Sequence, residues 1–367
     1  MRRLLPLLIV ALLFSGCAGR QMEEETVVIA LAVDQTEEGQ YRLAVKAPSA
    51  AQQQGQDEQM GYWTLLSSGS TFGDAVALLN ASTPRKLNFA QVREVIVNDA
   101  AAGSESLPRL LRAIAALPRL RTAAAVIVCR GSACDMAEKL KPYMGLRLSR
   151  YAEDSLSDAA GKGFTPATTL AQALRDLGSG LRDPLFILGA VNDFANDQPE
   201  SVLSAQAGAL PRKSPDPIDL FGAAVTDGKK MAGVISGDEM ALLHLLTGGG
   251  HFYSAILENT SVTLCARGRA EMHIDLSRRP ILLQLRLLCS ADAANAAVDL
   301  DKAAAEAKER ILSLLTKLRS LRCDALGFGD LAVRRCWTDA TWEQMDFKRL
   351  YEEAEFDCIL TLRRQGS

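Results

Sequence analysis

The sequence has almost no charge excess: 41 lysines and arginines face 44 aspartates and glutamates, a formal net charge of −3. With no broad positive field to hold a polyphosphate backbone, nucleic acid is not expected as a partner. Histidine is scarce too. His244, His251 and His273 lack the short ligand spacing of zinc signatures, and no CxxC pair occurs. No metal and no other cofactor is expected. Neither Gly-x-Ser-x-Gly nor a Walker loop is present. Gly248 to Gly250 follow a predicted helix, whereas a phosphate cradle would precede one. Asp238 and Glu239 are adjacent, so on a helix they point about 100° apart and serve its dipole better than they serve as an acid/base pair. No catalytic residue is assigned, and the expectation is a protein that is not an enzyme.

What is present is ample material for buried cores: 367 residues, 48% of them hydrophobic, with 27 glycines and 13 prolines. That composition is globular, and the length calls for two or three units of ordinary domain size.

One apolar run stands at the beginning. Arg2 and Arg3 precede Leu4 to Phe14, and Ser15-Gly16-Cys17 follows. The run is shorter than the roughly 20 residues that carry a helix across a bilayer, so it reads as an export signal over residues 1–16. A cysteine directly after Ser-Gly matches a lipoprotein junction, although Phe14 stands where a lipobox usually has leucine. Cys17 is therefore the expected lipid-attachment residue, and two acyl chains would make a stable membrane tether. The alternative is an ordinary secretory peptide with a chance cysteine.

Seven cysteines remain, Cys129, Cys134, Cys265, Cys289, Cys323, Cys336 and Cys358, an odd number that cannot pair completely. Cys129, Cys289 and Cys358 fall in apolar, strand-like runs and are expected to pack as small hydrophobes.

Thr26 to Val33 reads as a buried strand, paired through the Thr36 to Gly39 turn with Tyr41 to Lys46. Gln52 to Gln59 reads as an exposed loop. Ser70 or Thr71 caps a helix through Leu79, and strand and helix then alternate: Val92 to Val97, Leu107 to Leu117, Ala123 to Val128, a short helix from Ser132, Leu170 to Leu177, and an extended run to Leu188. Four prolines among polar residues between Asn192 and Pro217 predict a linker or irregular loop over 192–217. It divides an N-terminal mixed α/β region, 17–191, from a C-terminal α+β domain, 218–367. In the latter, Asp227-Gly228 closes a hairpin, a helix runs to Leu246, and Tyr253 to Leu257, Val262 to Arg267, Met272 to Asp275 and Leu282 to Leu288 predict an antiparallel sheet. Ala294 to Leu321 carries a helical stripe through Ile311, Leu314, Leu315, Leu318 and Leu321, and a last strand runs from Glu355 to Arg363. The fold class expected is α+β, with antiparallel sheets flanked by helices.

Several of these segments, in this order, resemble the Ger(x)C family of spore germination lipoproteins. They are Ala32-Val33-Asp34 after the lipidated cysteine, Ser82 to Phe89 with its Pro-Arg-Lys core, Phe221 to Val225, Gly237-Asp238-Glu239, and Asp324 to Gly329 before Trp337 and Trp342. The resemblance extends over nearly the whole chain. It implies three mixed α/β domains, attachment to the outer face of the spore inner membrane, assembly with integral membrane subunits into a nutrient germinant receptor, and no catalysis. A lipid-anchored protein that captures a small molecule between domains is the alternative reading, and an extracytoplasmic hydrolase a third. Gly327-Phe328-Gly329 is an interaction candidate, with a glycine turn around an anchored aromatic as the plainer account.

Overall fold

The computed structural model describes residues 25–49, 61–143, 147–192, 205–248, 252–257, 260–293 and 298–364. The signal segment, Cys17 and the polar stretch from Gln52 to Gln59 lie outside the described residues. The chain is an α+β protein built on two main sheets.

The apolar run at the start supplies two strands rather than one. β1 (Glu25–Val27) pairs in parallel with β5 (Lys86–Asn88), while β2 (Ala30–Gln35) enters the large sheet. The switch occurs at Val28 and Ile29, whose N–H groups donate to Asn88 and Lys46 carbonyls at 2.9 and 2.8 Å. The large sheet has eight strands in the order β10-β9-β8-β7-β6-β2-β3-β4. Its centre is parallel: β2, β6 (Glu94–Asn98), β7 (Ala125–Arg130) and β8 (Leu185–Val191). Strands buried on both faces need continuous apolar sequence, which Val95-Ile96-Val97, Val126-Ile127-Val128 and Phe186-Ile187-Leu188 provide. Antiparallel β3 (Tyr41–Pro48) and β4 (Tyr62–Gly69) flank one side, and β9 (Ile218–Thr226) and β10 (Met231–Ile235) the other.

Side-chain alternation sorts the two faces. Val126, Val128, Phe186 and Leu188 point into a core shared with helices Phe72–Ala81, Leu107–Ala115 and Leu170–Ser179. Ile96, Ile127 and Ile187 point the other way, under helices Ala133–Lys139 and Leu148–Gly161. Thr71 caps the first helix in a reciprocal capping box with Asp74, as the sequence predicts. The 148–161 helix was not signalled by the sequence pattern, because only Leu148, Tyr151 and Ala152 are buried along its 14 residues.

The boundary placed at 192–217 does not divide the sheets. β8 and β9, on either side of it, are hydrogen-bonded neighbours, with Phe186 opposite Ala224 and Ile187 opposite Ala223. The described part of the segment folds back onto them: Asn192 N–H donates to the Pro217 carbonyl at 2.6 Å, Ala207 N–H to Phe221 at 3.1 Å, and Ala205 and Ala207 are buried. The Asp-Gly hairpin expected in the C-terminal domain thus completes the first sheet. Gly228, at φ +88°, cannot be replaced freely, because a Cβ there would sit 2.8 Å from the Asp183 Oδ1.

The second sheet holds β11 (Phe252–Leu257), β12 (Thr260–Ala266), β13 (Glu271–Asp275), β14 (Leu282–Ala293) and β15 (Glu355–Arg364). β12 and β13 lie antiparallel to different halves of β14. β15 runs along most of β14 in parallel, so it must take the opposite edge from both. The sheet is mixed where an antiparallel one was expected, and the parallel return is made by helices between β14 and β15. The chief of these, Leu300–Ser320, begins after the Asp299 cap, later than the predicted Ala294, and buries Ile311, Leu314, Leu315 and Leu318. Its core also takes in Leu185, Ala223, Val225 and Ile235 from the end of the first sheet, so the two sheets share apolar packing.

Candidate ligand cavity

A carboxyl group opens the site. In β6 the residues Val95 and Val97 face one core, so the two-residue period turns Glu94 to the face of Ile96. There it lies 3% exposed, at the floor of a cavity of about 520 Å³. No described residue donates a hydrogen bond or forms an ion pair with it. Burial, and then the nearby Asp216 carboxylate, push Glu94 up to about 7 from an ordinary 4.5.

The walls come from three elements. The 133–139 helix and the residue after it supply Met136 and Leu140, β9 supplies Ile218 and Leu220, and the 148–161 helix supplies Tyr151 and Asp154. Met136 lies against Gly189 of β8, where a Cβ would meet its Cε at 3.0 Å and Ile127 Cγ2 at 2.7 Å; a side chain at 189 would displace this wall. Tyr151 donates its hydroxyl to Asp216 Oδ2, and the Ile218 N–H donates to Asp216 Oδ1 at 2.9 Å. Burial, followed by that carboxylate, raises the Tyr151 pKa.

Arg212 also lines the cavity, yet its guanidinium is turned onto protein groups. Nε donates to the fully buried Asp219 at 2.8 Å, and the two terminal nitrogens reach the carbonyls of Ile218 and Asp216 at 2.6 and 3.4 Å. Asp219 further accepts from Asn192 and from the Gly208 N–H. This network holds the 205–217 segment against the sheet as one wall. Among the described lining residues none is His, Lys or Cys. The cavity is therefore an acidic, partly apolar pocket without a nucleophile and base in partnership.

A second group of buried carboxyls joins the two sheets. Asp324 Oδ1 accepts from the N–H groups of Gly327 and Phe328 at 2.9 and 3.0 Å, and Oδ2 from Gly329 at 2.7 Å. Asp324 N–H donates to Asp183 Oδ2 at 2.7 Å, and the Lys348 ammonium donates to the same oxygen. Burial raises Asp324 to about 6 against the lowering effect of its three donors. Gly327-Phe328-Gly329 is accordingly a capped turn with Phe328 wholly buried, not an exposed binding loop.

The other residues marked from sequence are structural in their contacts. Glu239 closes a capping box with Ser236 and bonds Lys317 at 2.7 Å, while Asp238 accepts from Tyr253 at 3.3 Å. Cys129, Cys289 and Cys358 are buried free thiols, and burial pushes the latter two up to about 12 and 11, which keeps them protonated. Among the described residues no group of His, Cys, Asp or Glu is arranged to hold a metal ion. Cys17 lies outside the described residues.

Residues 19–188 match the family model described as the spore germination protein N-terminal domain. The match takes in somewhat less than half of the chain and makes that part similar to spore germination proteins. It is 21% identical to the "Putative spore germination protein YfkR" of Bacillus subtilis (strain 168), over 99% of this chain and 96% of that protein. A solved structure, "Crystal Structure of the GerBC protein", is similar over 91% of this chain and 96% of its own, at 13% identity and a TM-score of 0.49.

Proposed function

We propose that the protein is the lipid-anchored, non-enzymatic subunit of a nutrient germinant receptor, which acts with integral membrane subunits to trigger spore germination. The observation that carries this reading is the position of the family match. It begins at residue 19, two residues after Cys17, so the stretch matched to the family follows the lipoprotein-like junction almost at once. Diacylglyceryl-Cys17 would hold that body on the outer face of the spore inner membrane. No helix among the described residues is long and apolar enough to cross a membrane, so the tether supplies the attachment in this reading. A cavity lined by carboxylates and aliphatic groups, with no nucleophile and base paired in it, supports a role without turnover.

The test is Cys17→Ala in the spore-forming host, scoring nutrient-triggered germination and the abundance of the partner membrane subunits. The expected result is a large loss of response and release of the protein from the membrane fraction. An unchanged response would refute the mechanism. Intact-mass measurement of the wild-type membrane fraction checks the anchor itself: a mature chain starting at an unmodified Cys17 or Ala18 would exclude it.

A further inference from the structure

We infer that the cavity under the 148–161 helix is a binding site for a small organic cation, a primary ammonium on an apolar body, held by Glu94. The inference stands on the cavity alone and is independent of the receptor reading.

Glu94 is the reason. A carboxyl 3% exposed is expected to be hydrogen-bonded, and this one faces a cavity with no donor supplied by the described residues. The chemistry it lacks is a donor, and a charged one gains most: an ammonium hydrogen-bonds an ionised carboxylate about twice as strongly as a neutral donor does. Asp216 adds a second negative charge from the cavity wall. Each of its oxygens already accepts one bond, from Tyr151 and from Ile218, whereas Glu94 accepts none from the described residues.

Charge excludes the opposite ligand. Arg212 is the one cationic side chain among the described lining residues, and it is directed to Asp219 and two carbonyls, so it presents no open fork for a carboxylate or phosphate. The apolar end is equally defined. Met136, Leu140, Ile218 and Leu220 form one side of the cavity, with the Tyr143 ring packed edge-on to Tyr151 at 5.8 Å between centroids. A volume of about 520 Å³ lies within the usual range for small-molecule pockets.

The test uses the full chain in detergent and calorimetric titration at pH 8 with two probes, hexylammonium and phenethylammonium chloride, against 1-hexanol and 2-phenylethanol. Saturable binding of an amine, at least tenfold tighter than its alcohol, is expected. Glu94→Gln should weaken the amine at least tenfold and leave the alcohol unchanged. Ala159→Phe, which narrows the cavity from the helix without altering its charge, should abolish both. Equal affinity for amine and alcohol, amine binding that survives Glu94→Gln, or no saturable heat with either amine would overturn the assignment. If Glu94→Gln does not fold, the amine-to-alcohol ratio and Ala159→Phe decide it alone.

Discussion

Glu94 and Asp324 are both carboxyl groups almost wholly removed from water, and burial raises the pKa of each, yet they are treated in opposite ways. Asp324 receives three backbone N–H groups from one turn, and through Asp183 it is tied to Lys348. Glu94 receives nothing from the described residues. A carboxylate saturated by its own chain is a fastening, here between the end of the first sheet and the helices of the second. A carboxylate left bare in a cavity is a standing cost, of the kind proteins retain where something else supplies the partner. Burial alone would not separate the two roles; the donor inventory does.

That contrast can be broken most forcefully at the fastening. Asp324→Ala strands the N–H groups of Gly327, Phe328 and Gly329 in an apolar setting, and at about 1–3 kcal/mol for each unsatisfied group the loss should reach about 4 kcal/mol in urea unfolding. A change below about 1 kcal/mol would show that the turn holds without its acceptor.

Glu94→Gln should move stability the other way. Glu94 has a folded pKa of about 7, above the ordinary 4.5, so its contribution is fully present below about 4.5 and lost as pH rises through 7. Glutamine removes that loss. The variant should gain roughly 3 kcal/mol over the wild type at pH 8 and nothing at pH 4, a difference read from denaturation curves at the two pH values. A gain independent of pH would mean that packing, not ionisation, is responsible.

Lys348→Met should fall between. It leaves Asp183 without its countercharge, but Lys348 is about a third exposed, with a side-chain accessibility of 36%, so solvent screens part of the effect. A loss of about 2 kcal/mol at pH 7, shrinking as the pH is lowered and Asp183 takes up a proton, is expected in thermal melts. The smallest effect belongs to the rim of the cavity. Lys162→Ala removes an exposed (i, i+4) pair with Asp158 and should cost at most about 0.5 kcal/mol.

Much of the fold was legible because its signals are local. Thr71 before an amphipathic run, Asp227-Gly228 between apolar strands, and the stripe from Ile311 to Leu318 each specify an element without reference to the rest of the chain. The strand pairing was not legible in the same way. Prolines between Asn192 and Pro217 predict irregular backbone, and the described residues 205–217 hold no helix or strand, but composition says nothing about whether the strands on either side lie together, and β8 and β9 do. β15 was read as a strand, while its parallel alignment depends on the helices that carry the chain back. The candidate site was the least visible. Glu94 adjoins Arg93 at the start of a short strand, which suggests a solvated edge, and the cavity needs the 148–161 helix, whose apolar residues are too few to announce it. The one available signal was the two-residue period that sets Glu94 beside Ile96, on a strand that must be buried on both sides.

The closure of the large sheet by β9 and β10 limits how the protein can be divided. A fragment ending at residue 191 would keep the whole stretch matched to the germination domain, yet β8 would become a bare margin with its backbone amides and carbonyls open to pairing. Such a piece should self-associate on purification, and the cavity would lose the wall that Arg212 and Asp219 hold in place. What is one block in sequence comparison is, as a physical body, unfinished until the chain has passed residue 235.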